Sequence, residues 1–166
     1  LHGRCLSAAS LVLGACVRAP GFSLDRAFRQ SAETALRDRL QGHIYAVLAA
    51  SDVSPNGRFT MARPLADPRF STPGSGLYAQ IDQRGGDRWQ STSILGQEIP
   101  FDLPLPPGQQ RFRTLASTAG DRLLGLSFAI TWDDDAGTTH QFIYHVAEHL
   151  APQDANSGTV RRTLCG

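Results

Sequence analysis

Lysine is absent from this 166-residue chain; its sixteen basic residues are all arginine, set against fifteen acidic ones. The bias toward one basic residue reads as the codon usage of a GC-rich genome and not as a physical requirement. The formal charge of +1 gives no strong attraction to nucleic acid or to an anionic membrane surface. Cysteine is scarce, with Cys5, Cys16 and Cys165 and none between the last two. That excludes a disulfide framework for the core. On a helix Cys5 and Cys16 would stand ~16 Å apart, too far to pair. A Cys16–Cys165 link would need the chain ends to meet; otherwise the three are small apolar side chains. Long apolar runs are also missing. The longest uncharged stretch near the start, "CLSAASLVLGACV" between Arg4 and Arg18, falls short of the ~20 residues that span a bilayer. It reads as the remnant of a first membrane helix, a signal-peptide core or a buried amphipathic helix.

The chain also lacks G-x-G-x-x-G, a P-loop, C-x-x-C and G-x-S-x-G. No dinucleotide, nucleotide-phosphate, thiol-redox or nucleophile-elbow chemistry is therefore encoded locally. "PGSG" around Ser75 has the wrong spacing for a nucleophile turn, and His140 has no partner visible in the sequence.

What is present begins with a helix. Ser23 stands at an N-cap position, and no proline follows from Leu24 to Ala50. Leu24, Phe28, Ala32, Ala35, Leu36, Leu40, Ile44, Val47 and Leu48 recur at three- and four-residue steps and form one apolar stripe. Glu33 and Arg37 are set for a favourable pair one turn apart. Such a helix is about 40 Å long, more than a small domain needs for its own core. Helices of that length pack on a partner helix or lead to a membrane. Beyond it, "RFTM", "GLYAQID" (half-buried by its alternation), "RWQS", "QRFRTLAS", "RLLGLSFAITW" and "THQFIYHVA" read as strands separated by Gly- and Pro-rich turns. The fold class is α+β: a long N-terminal helix and a PAS-like (PDC-type) antiparallel sheet of about five strands, followed by a C-terminal helix or tail. Tyr78, Trp89, Trp132 and Tyr144 fall in these strands as core or sheet-face residues.

Two stretches carry candidate chemistry. "HVAEH" matches H-x-x-E-H, in which His145 and His149 would bind zinc and Glu148 would activate water, as in a secreted zinc-dependent hydrolase. That chemistry needs a helix, whereas "QFIY" before it reads as strand and Pro152 follows closely. On a strand the two histidines would lie ~13 Å apart. "TWDDDAGTTHQ" places Asp133, Asp134 and Asp135 side by side. Calcium loops of the EF-hand type alternate their carboxylates, and this run does not. It reads as a solvated hairpin turn with Gly137 at the bend, or as a loose Mg²⁺ or Ca²⁺ site completed by other carboxylates or by lipid phosphates.

Taken in order, "LDRAFRQSAETALRDRLQGHIYAVLAAS", "PRFSTPGSGLYAQI", "RWQSTSILG", "VAEHLAPQDA" and "RRTL" resemble the extracytoplasmic sensor region of PhoQ-like sensor histidine kinases. The resemblance spans roughly residues 22–165. It implies a periplasmic PAS-like domain held between two membrane helices at the bacterial inner membrane. Residues 1–22 would be the remnant of the first membrane helix, 23–150 the sensor domain, and 151–166 a juxtamembrane segment leading to the second. It also implies a homodimer through the N-terminal helix, and a signal that is a small ligand, a divalent cation or a cationic peptide. This region would have no catalysis and no required cofactor. The ATP-dependent kinase, with its phosphoacceptor histidine, and its response regulator would lie elsewhere. Where the family carries A-E-D, this chain has Ala147-Glu148-His149, and its acidic surface is reduced to Asp133–Asp135. The remaining alternative is a non-signalling periplasmic binding domain.

Overall fold

In the computed structural model, residues 2–102 and 104–150 are described, the first of these, up to residue 23, by their backbone alone. The juxtamembrane segment, Pro152, Cys165 and the "RRTL" stretch lie outside them. The described residues form one α-helix, α1 (His2–Ala50), then seven strands: β1 (Ser51–Val53), β2 (Phe59–Met61), β3 (Leu77–Gln83), β4 (Arg88–Gln90), β5 (Gln110–Ala116), β6 (Arg122–Asp133) and β7 (Thr139–His149). Two compact units divide it, one up to Arg39 and one from Leu40 onward.

Helix α1 starts earlier than Ser23, which is interior to it. The apolar residues after His2 suit a helix, whereas Pro20 inside it removes one amide donor and crowds the preceding turn. Within the first unit Leu24 and Phe28 are 63% and 76% exposed. The Glu33–Arg37 pair forms there at 2.9 Å, and Arg29 faces Asp25 at 3.9 Å. None of the described helices is long and apolar enough to cross a membrane.

In the second unit the helix ends as Leu40, Ile44, Val47 and Ala50, all buried. The β1–β2 hairpin follows directly. The main sheet has five strands in the order β4-β3-β7-β6-β5, every neighbouring pair antiparallel. The first and last of the five, β3 and β7, thus pair inside the sheet, with β4 beyond β3 and β6 then β5 beyond β7. One face carries Phe142, Tyr144 and Val146, and the helix end and small hairpin cover it. Ser51 shares a 2.8 Å hydrogen bond with the Tyr144 hydroxyl, and the Phe59 ring meets Phe142 and Tyr144 at 6.3 and 6.5 Å. Gln41 Nε2 donates to Gln110 Oε1. The other face carries Tyr78, Leu115, Leu123 and Ala147, over which the stretch after β4 folds back with Ile94, Ile99 and Phe101 to close a second core. Both faces are therefore covered. That is why Leu77–Ile81, expected to be half-buried, is buried at every position.

Backbone freedom matters at Gly57. It holds φ +76° in the β1–β2 turn, and an added Cβ would collide with the His140 ring at Nε2. The imidazole fills the space a side chain would need.

Candidate functional site

Antiparallel register builds a polar row that no local motif announces. Gln90 lies opposite Gln80, Gln80 opposite His145, and His145 opposite Ser127. The four side chains thus stand in line across β4, β3, β7 and β6, on the face covered by the stretch after β4. Asp82 and Arg88, two residues farther along β3 and back along β4, share that face. Polar groups buried there must find partners, and they do. Gln90 Nε2 donates to Gln80 Oε1 at 2.9 Å, and Gln80 Nε2 donates to Asp82 Oδ2 at 2.8 Å. Arg88 Nε donates to Asp82 Oδ1. His145 Nε2 lies 3.2 Å from Asp82 Oδ2, and Ser127 Oγ lies 2.7 Å from His145 Nδ1. Phe101 stacks on the imidazole, with centroids 4.8 Å apart and planes 19° apart.

Burial pushes the Asp82 carboxyl upward, but hydrogen bonds from His145, Gln80 and Arg88 outweigh it and hold the group at about 2. The carboxylate is thus the fixed negative centre of the row.

Ser127, His145 and Asp82 form a Ser–His–Asp string, which invites a nucleophile reading. Two features oppose it. Ser127 is 5% and His145 1% exposed, so the hydroxyl meets no substrate. The contacts are also reversed relative to the catalytic arrangement, in which Nδ1 faces the carboxylate and Nε2 the serine. The string holds the sheet face together and positions Asp82.

Two adjoining cavities open beside this row. One, of about 570 Å³, is bordered by Asp82, Arg88, Phe101, Asp102 and His145. The other, of about 540 Å³, lies among Pro104–Pro107, Ala129, Ile130, Phe142 and Ile143, with Arg84 and Gln141 also lining it. Asp82, Gln83, Pro104 and Ile143 border both. Their sizes suit small organic molecules. The proline-rich wall is tied to the sheet, since Gly108 N donates to Ala129 O and Ala129 N to Gln109 O.

Of the candidates read from the sequence, His145 joins this row and the others lie elsewhere. "HVAEH" is strand, so His145 and Glu148 point to opposite faces. Glu148 is buried and accepts from Arg69 Nη1 at 3.2 Å, while His149 faces Asp121 at 3.6 Å. Adjacent strand positions diverge, so the three do not converge on one zinc ion. Among the described residues no three His, Cys, Asp or Glu side chains are grouped as a metal ion would require. In the Asp133–Asp135 run the three carboxylates have different surroundings. Asp134 turns back into the hairpin, where its Oδ1 accepts from the amides of Ala136 and Thr138, and its Oδ2 lies 2.9 Å from His140 Nε2. The His140 contact first, and then the backbone donors, lower its pKa. Asp133 accepts from the Thr139 hydroxyl, and Asp135 is exposed. His140, partnerless in the sequence, is thus the residue that clamps the turn.

The signal for the polar row was present but faint: a lone polar residue inside each apolar strand, Gln80 in "LYAQI", Ser127 in "LLGLSFA" and His145 in "IYHVA". No family model, curated protein or solved structure matches the chain.

Proposed function

We propose that this chain is the ligand-sensing extracytoplasmic region of a membrane sensor histidine kinase, with a PAS-like sensor sheet on the periplasmic side of the bacterial inner membrane. The observation that carries this reading is the combination of one long helix and a cavity-bearing antiparallel sheet. Of helix residues 24–50, those that are buried in the core begin at Leu40. Earlier on the same helix Leu24 and Phe28 are exposed. An apolar stripe left in water suits a second copy of the helix, as a homodimer would provide. The sheet supports the PAS-like reading by its strand order, with its first and last strands paired inside it. The two cavities supply a place for a signal molecule.

In this reading the domain catalyses nothing. A ligand acts by binding one arrangement of the paired helices better than another, and the difference in affinity sets how far it moves the equilibrium. The kinase and its response regulator complete the pathway. The coding sequence adjoining this stretch tests the proposal: it should encode a kinase module with a phosphoacceptor histidine and an ATP site. A gene without one would leave a non-signalling binding domain.

A further inference from the structure

The more apolar of the two cavities has a cation in its lining. Pro104, Leu105, Pro106, Ala129, Ile130 and Phe142 supply its walls, and Arg84 stands among the lining residues beside Gln141. Arg84 is held in place twice. Its backbone amide donates to the Gln141 carbonyl at 2.9 Å, and its Nη1 donates to Gln141 Oε1 at 2.9 Å. Among the described residues no carboxylate pairs with it. Asp82, the one acidic group in the same lining, is already engaged by Arg88, Gln80 and His145. The cavity thus presents a largely apolar lining and one guanidinium, held by Gln141, that no carboxylate among the described residues pairs.

We infer that this cavity binds a small apolar carboxylic acid, its hydrocarbon part against the proline-rich wall and its carboxylate on Arg84. A guanidinium presents parallel donors that match a carboxylate, and such charge-assisted bonds are about twice as strong as neutral ones. An amine of the same shape would meet like charge at Arg84. A neutral alcohol would gain the apolar contact alone. Sugars and other fully polar molecules would leave the apolar wall unfilled. The inference deepens the ligand-sensing reading and rests on it.

The test is titration of the 166-residue chain, in detergent-free buffer, with octanoate, 1-octanol and octylamine, followed by calorimetry. Octanoate should bind tightest. Arg84→Gln should weaken octanoate at least about tenfold and leave octanol binding unchanged. Arg84 is exposed, so this variant keeps the fold, which its unchanged melting temperature will show. Octanol or octylamine binding as tightly as octanoate, or Arg84→Gln binding octanoate like the parent chain, would overturn the acid specificity and leave a ligand cavity standing. Binding of none of the three would overturn the inference and the cavity's role in sensing together.

Discussion

Replacing Asp82 with asparagine removes the charge at the centre of the polar row and keeps the shape. Three donors converge on this carboxylate, from Arg88, Gln80 and His145, and its side chain is 25% exposed. An amide can accept only on one atom, and its own N–H groups would face those donors. The magnitude follows from linkage. Asp82 is held at about 2 against an ordinary 3.8, which corresponds to about 2 kcal/mol of stability contributed by the ionised form. The folded value is the depressed one. The contribution is therefore complete above the ordinary value and is lost as pH falls through 3.8 toward 2. Asp82→Asn should then cost about 2 kcal/mol at pH 7, a fall in melting temperature of roughly 5–10 °C. The gap between the two proteins should narrow to about 1 kcal/mol at pH 3. Urea unfolding followed by circular dichroism at pH 7, 5, 4 and 3 measures it. A gap that stays constant from pH 5 to pH 3 would refute the reasoning, because the loss would then come from packing and not from the charge.

Other substitutions separate the remaining elements. Gly125→Ala places a Cβ 2.7 Å from Leu115 Cδ1 in the second core; repacking should cost about 1–3 kcal/mol in a urea melt. Tyr144→Phe deletes the hydroxyl paired with Ser51 and should cost about 1 kcal/mol by the same assay. In the aspartate run, Asp134→Ala should lower the melting temperature and disturb the His140 resonances in NMR spectra. Asp135→Ala should leave both as they were, since only Asp134 accepts from the turn and from His140. Phe28→Asp, at an exposed helix position, should convert a dimer to a monomer in sedimentation velocity without changing the melt of the sheet.

The strands were legible because hydrophobic runs and Gly/Pro turns are local signals. β3, β5, β6 and β7 begin and end within two residues of the stretches expected to form them. The helix start was not. Ser23 has the chemistry of a cap, and Pro20 and Gly21 just before it disfavour helix, yet the helix runs through all three. The short β1 strand, Ser51–Val53, was hidden because its pairing with β2 depends on a turn and not on its own composition. The polar row was the hardest to see. Gln80, His145 and Ser127 come together only through register between strands distant in sequence, and each alone looks like an isolated polar residue in an apolar strand. "HVAEH" drew attention as a motif because spacing is visible in sequence, whereas the strand geometry that separates its side chains is not.

The central proposal is that this domain regulates a histidine kinase by binding a ligand beside the polar row. The most direct measurement is autophosphorylation of the full-length protein in vesicles, with ATP on the kinase side and octanoate added to the sensor side. The account predicts phosphate on a histidine outside this region, formed at a rate that octanoate changes in the parent protein and fails to change in Arg84→Gln. A full-length protein that acquires no phosphohistidine would contradict it.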